Sequence, residues 1–223
     1  MKAQLSECEA QGKLTETAKK EIISETPVEV LEQFMDEKEK QAVTALNAVD
    51  LDELLEDQGD GTLYGKQVID LGDGCEAVVE VKDAEDKNIW RNLMDLIVEP
   101  SYAATNGEVL WKNYGDRYFT AKSTVMFGIK TCTMTLENHY NLSVSGITER
   151  YGSASGVNCT PGTVSITDRT ATTPGSSDVN MKCSYSASSA GISKQYILKT
   201  TVGYMAKDAT NKQIKVKHSW SIS

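Results

Sequence analysis

The sequence predicts an α+β fold, with N-terminal amphipathic helices and a hairpin leading into a C-terminal antiparallel β-sandwich; a barrel is the second choice. Three observations carry this reading. Apolar residues recur at helical spacing up to about residue 60 and alternate with polar ones beyond it. Gly, Ser, Asn and Pro punctuate the second half at intervals suited to strand turns. Charge also reverses along the chain: residues 1–100 carry 25 Asp+Glu against 10 Lys+Arg, and residues 101–223 carry 7 against 13. The expected division is therefore an acidic helical region over 1–62, a hairpin and connector over 63–105, and an all-β domain over 106–223.

The helical elements follow from caps and stripes. Thr15 to Ser24 reads as a short helix. Thr26-Pro27 is a start signal, because Thr can cap orphan amides and Pro at the first helical position loses no bond. Val28, Leu31, Phe34 and Met35 then form one stripe. Asp36 with Glu39 resembles a second cap, before Val43, Leu46 and Val49. Asp50 opens a third piece through Leu51, Leu54 and Leu55, stopped by Gly59-Asp60-Gly61.

The strands follow from period-two patterning. Val68–Leu71 and Cys75–Val81 flank Gly72-Asp73-Gly74, a hairpin signal, with Cys75, Ala77, Val79 and Val81 on one face. The run Asp83-Ala84-Glu85-Asp86 reads as a charged turn, and residues 89–98 as a further strand. About seven strands follow, marked by Phe119–Phe127, Cys132–Leu142, Ile147 and Tyr151, Val164 and Ile166, Val179–Tyr185, Tyr196–Tyr204 and Ile214–Ile222. Residues 170–177 read as a Thr/Ser/Pro/Gly loop.

Composition removes several function classes. A net charge of −9 argues against a partner bound through phosphate neutralisation, so no nucleic acid is expected. No apolar run approaches the roughly 18 residues needed to cross a bilayer. Two histidines and no CxxC pair leave little for zinc or His-based catalysis. The segment Gly59–Gln67 fails as a phosphate loop, because Asp60 and Gln67 occupy positions that need Gly and Ser/Thr. Gly152-Ser-Ala-Ser-Gly156 fails as a nucleophile elbow, with Ala154 where the serine belongs.

What remains are weaker constellations. Asp50, Asp52, Asp57 and Asp60 are the candidate ligands for Ca²⁺, a hard cation that takes carboxylate oxygens, with Asp83, Glu85 and Asp86 a second candidate set. Trp111, Tyr114 and Tyr118 could stack on a sugar or peptide. Glu137 with Glu149 or Asp168 could make a glycosidase-like pair. His218 alternates with Val216 and Trp220, as a core histidine would, whereas His139 lies opposite the Leu136/Tyr140 side and is expected to be exposed. Of five cysteines, Cys132, Cys159 and Cys183 are disulfide candidates: Cys132 and Cys183 lie on apolar strand faces, and Cys159 sits in a turn from which it could reach Cys183.

The runs Gly115-Asp-Arg-Tyr-Phe-Thr-Ala-Lys122, Met134-Thr-Leu-Glu-Asn-His-Tyr140 and Ile147-Thr-Glu-Arg-Tyr-Gly-Ser153 resemble uncharacterised secreted proteins of gut-dwelling Gram-positive bacteria, over about residues 110–223. The resemblance implies export and an all-β C-terminal domain, with no activity or ligand attached. Since no apolar stretch follows Met1-Lys2, a signal peptide is expected to have been removed, with a cytoplasmic protein as the alternative. The sequence thus leads to a secreted or surface-exposed, non-enzymatic binding module with an unknown protein or glycan partner and no obligatory cofactor. The alternative is a small carboxylate-dependent, glycan-acting hydrolase.

Overall fold

The computed structural model describes residues 1–13, 15–86, 110–127, 130–168, 178–189 and 191–223. The strand expected over 89–98, the expected boundary at 105/106 and the 170–177 loop lie outside these residues. Among the described residues the chain runs α1 (Lys2–Ala10), α2 (Glu16–Ser24), α3 (Val28–Asn47), α4 (Leu51–Leu54), β1 (Glu56–Asp57), β2 (Leu63–Gly72), β3 (Cys75–Glu85), β4 (Trp111–Asn113), β5 (Gly115–Phe127), β6 (Lys130–Ser143), β7 (Gly146–Val157), β8 (Cys159–Pro161), β9 (Ser165–Asp168), β10 (Val179–Ser189), β11 (Ile192–Asp208) and β12 (Gln213–Ile222).

The strands make two antiparallel sheets of six, ordered β1-β2-β3-β5-β6-β7 and β4-β12-β11-β10-β8, with β9 also pairing β10. Neither closes into a barrel. β3 hydrogen-bonds along β5 from Ala77/Val125 to Glu85/Arg117, so residues 63–85 and 115–157 build one sheet. The inner faces of both sheets contribute to a single core, with Val79, Phe119, Met134 and Leu136 from the first and Met181, Tyr196, Leu198 and Val216 from the second, all at most 1% exposed. Both inner faces repeat every second residue, as the pleat requires.

Helices α3 and α4 pack on this core through Ala42, Leu46 and Leu51. Three features of α3 depart from expectation; first, Pro27 rather than Thr26 is its N-cap, with no side-chain cap bond, and the Thr26 hydroxyl donates to the Ile22 carbonyl. The helix continues unbroken through Asp36, because the buried row Leu31, Phe34, Met35, Lys38, Ala42 and Leu46 spans the proposed break; Asp36 instead pairs with Lys194. Val28 is 58% exposed and lies off the stripe. Thr15 caps α2 through Ala18 N, and Asp50 caps α4 through Asp52 N. Helix α1 escapes sequence reading because it buries only Leu5. At the β2–β3 hairpin both Asp73 and Gly74 have positive φ, 58° and 67°, matching a type I′ turn. The ammonium of Lys38 closes that turn, donating to the Leu71 carbonyl and pairing with Asp73 at 2.9 Å.

Gly152 shows how closely the sheets approach. A Cβ there would lie 2.6 Å from both Met181 Sδ and Val164 Cγ1. Gly152→Ala should therefore destabilise the fold by about 1–3 kcal/mol through overpacking, read as a lower urea midpoint with an unchanged m-value.

Candidate functional site

The charged turn expected at Asp83–Asp86 is a correction. Strand β3 runs on to Glu85, and Asp83 keeps the inward phase of Cys75, Ala77, Val79 and Val81. It is fully buried. Its Oδ1 accepts from Arg117 Nε at 2.9 Å and Nη2 at 2.5 Å; its Oδ2 accepts from the Tyr140 hydroxyl and from His218 Nε2 at 2.7 Å. The bond requires the His218 proton on Nε2. Asp83 therefore joins β3, β5 and β6 of one sheet to β12 of the other. Arg117 Nη2 also donates to Gly61 O at 3.0 Å, and buried Lys112 Nζ reaches the same carbonyl at 3.3 Å, tying down the loop before β2. His218 stacks at a tilt on Phe119, with centroids 4.7 Å apart, and is 1% exposed, the core residue its pattern predicted.

The electrostatics of this cluster are decided by its charges. Burial pushes the Asp83 carboxyl upward, but the Arg117 guanidinium and then His218 outweigh it and hold the group well below the usual carboxylate range. Burial pushes the Lys112 ammonium down to about 8, only partly offset by the attraction of Asp83. Asp83, Arg117, Tyr140 and His218 are each at most 2% exposed, so the cluster is part of the core.

The site open to solvent lies on the other side of the same strands. Tyr118 on β5, His139 on β6 and Tyr151 on β7 are cross-strand neighbours. The Tyr118 and His139 rings are 5.7 Å apart, and His139 stacks on Tyr151 at 4.0 Å with 16° between planes. Lys82 Nζ sits over Tyr118 at 5.7 Å, extending the row onto β3. His139 is a second correction: it faces outward but is only 7% exposed, because the two tyrosines and the carboxylates around it cover the ring. Its Nδ1 meets Asp86 at 3.1 Å and its Nε2 meets Glu137 at 2.5 Å. Both ring nitrogens thus face carboxylates.

A bulge shapes the rest. The β6–β7 register passes from His139/Tyr151 to Tyr140/Glu149, leaving Arg150 as an extra residue on β7. The phase of β7 flips there. Tyr151, which alternation from Ile147 would place inside, is 53% exposed. Arg150 Nε bonds Asp116 Oδ1 at 3.0 Å, and Asn141 Nδ2 bonds the same oxygen at 2.8 Å. A cleft of about 300 Å³ opens here, bounded by Asp86, Asp116, His139, Arg150 and Tyr151 and floored by Arg117 and Tyr140 of the buried cluster. Larger hollows between α3 and β2, of about 560 and 610 Å³, share Ala45, Ala48 and Ile69 and contain no aromatic ring.

The sequence-derived candidates fall as follows. Of the three aromatic residues, Tyr118 belongs to the ring row. Trp111 is half-buried on β4 opposite Lys215, and the Tyr114 hydroxyl is buried. Among the acidic candidates, Asp50 caps α4, Asp57 accepts from Gly59 N, Asp60 accepts from Thr62 N, and Asp52 lies 4.0 Å from Lys217. Among the described residues no group of three or more His, Cys, Asp or Glu is arranged to hold a metal. Glu137 is opposite Ser153 while Glu149 is opposite inward-facing Tyr140. Glu137 is thus on the outer face of the sheet and Glu149 on the inner one, so the two carboxylates do not face each other, and Asp168 lies on β9 of the other sheet. No helix among the described residues is long and apolar enough to cross a membrane.

Two outcomes test the buried cluster. Asp83→Asn should cost about 3–5 kcal/mol at neutral pH, since it strands Arg117. A depressed carboxyl stabilises fully above its unfolded pKa near 4 and loses that contribution as pH falls further, so the wild-type advantage should shrink below about pH 4. For Lys112 the lowered pKa again makes stability rise with pH, here at the alkaline end. Its folded ammonium releases its proton near pH 8 while the unfolded one keeps it to about 10.4, so stability rises across that window. Urea titrations should show wild type gaining on the order of 2 kcal/mol over Lys112→Met between pH 8 and 10.4.

Comparison with protein-family models, with curated proteins and with solved structures finds no match.

Proposed function

We propose that the protein is a non-enzymatic, exported or surface-exposed binding module, a β-sandwich presenting a carbohydrate site on the outer face of its first sheet. The observation that carries this reading is the Tyr151 ring, more than half exposed, stacked on His139 and flanked by Arg150 and Asp116 at a small cleft. An aromatic platform takes the apolar face of a pyranose, and charged donors and acceptors beside it take the ring hydroxyls. The surrounding surface suits such a ligand: Thr120, Thr135, Ser153 and Ser155 line the neighbouring outward positions on the same three strands. The placement of Glu137 and Glu149 on opposite faces of the sheet favours binding over hydrolysis. Export is supported by the resemblance over residues 110–223.

The test is a glycan array followed by calorimetry on the best oligosaccharide. Tyr151→Ala should weaken binding at least tenfold, as loss of an aromatic anchor does. It should lower stability by only about 0.5–1.5 kcal/mol, the stacking on His139 that it removes, so the variant stays folded. Absence of glycan binding, or binding that ignores Tyr151→Ala, would overturn the proposal. Glycan turnover abolished by Glu137→Gln would replace it with the hydrolase.

A further inference from the structure

Five free thiols are described, at Cys8, Cys75, Cys132, Cys159 and Cys183. The sheet registers decide which of them can meet. Cys159 on β8 lies opposite Ala187 on β10, four residues from Cys183. That is about 13 Å along the strand, beyond the roughly 7 Å between Cα atoms that a disulfide spans. The Cys183 thiol is also engaged elsewhere, with its sulfur 3.4 Å from the carbonyl of Gly162, just beyond β8.

Cys132 and Cys159 are differently placed. Thr133 pairs with Val157 at the end of β7, and Asn158, at φ 58°, turns the chain straight into β8. The turn brings Cys159 over β6, where its Sγ lies 3.2 Å from the Thr133 carbonyl, one residue from Cys132. The two thiols are close enough for each to perturb the ionisation of the other. Gly156 leaves the space for this approach: a Cβ there would lie 2.8 Å from Cys159 Sγ. Cys159 is half-buried and reachable, whereas Cys132 is 1% exposed behind it.

We propose that Cys132 and Cys159 form a disulfide that joins β6 of one sheet to β8 of the other when the protein meets an oxidising environment. The oxidant is a small-molecule disulfide or a disulfide-carrying oxidoreductase. The Cys159 thiolate attacks it, forming a mixed disulfide and expelling one thiol. The Cys132 thiolate then attacks Cys159 Sγ and expels the second, so two protein thiols are oxidised and one external disulfide is reduced to two thiols. Burial raises both thiol pKa values. Formation is accordingly slow and accelerates with pH, as suits a structural bond rather than a rapid sensor.

The full-length protein, purified reduced, is incubated with oxidised glutathione at pH 8.5 and mapped by non-reducing peptide mass spectrometry. The expected result is an intramolecular Cys132–Cys159 peptide, a fall from five to three titratable thiols after denaturation, and a Tm rise on the order of 10 °C. Cys159→Ser, at a half-exposed position that tolerates a hydroxyl, should lose both the cross-link and the Tm rise, while Cys183→Ser should retain both. Five thiols surviving oxidation, or a cross-link containing Cys8, Cys75 or Cys183, would overturn the proposal. The readout is independent of glycan binding.

Discussion

A carboxylate placed between two sheets, away from all water, is the constraint around which the molecule is organised. Transferring a charge of that kind from water costs several kcal/mol even after relaxation, and only complete coordination offsets it. Asp83 has that coordination because Arg117, Tyr140 and His218 arrive from three further strands. Each arrival fixes something else: β5 in register with β3, β6 beside β5, and β12 across the core. Through Arg117 and Lys112 the constraint reaches the Gly61 loop and the hairpin that follows. Removing one donor leaves the rest as a liability, so the network behaves as a unit.

The same strands carry the proposed binding face, and the two are mechanically continuous. Tyr140 points inward to Asp83 while its neighbour His139 turns outward into the ring row. Arg117 and Tyr140 form the floor of the cleft, so the platform stands on side chains that cannot change rotamer without exposing a buried charge. A surface built this way loses little conformational entropy when a ligand settles on it.

Much of this architecture can be read from the chain, and the exceptions have physical causes. The hairpin around Asp73-Gly74 and the alternation of β5, β6 and β10 to β12 are legible, because a half-buried strand has only one way to hide its apolar residues. Asp83 was also legible in principle: it continues the phase of Cys75, Ala77, Val79 and Val81, but a run with three acidic residues in four, Asp83-Ala84-Glu85-Asp86, reads as a turn. Helix α3 outlasts its internal cap signal because tertiary burial of Phe34, Lys38 and Ala42 outweighs a local cap. The candidate site was hidden for another reason. Alternation cannot reveal a bulge, and without the extra Arg150 the sequence places Tyr151 in the core. Nor can it reveal register, which alone brings Tyr118, His139 and Tyr151 into line.

The order in which the partners of Asp83 occur along the chain has a consequence for biosynthesis. Arg117 and Tyr140 follow within 57 residues, but His218 lies 135 residues downstream. At ribosomal speeds of about 5–20 residues per second, the nascent first sheet waits on the order of ten seconds for its last hydrogen-bond donor. During that interval its inner face, apolar and carrying a half-coordinated carboxylate, has no second sheet to cover it. The inner face of the first sheet is thus completed only when β12 emerges.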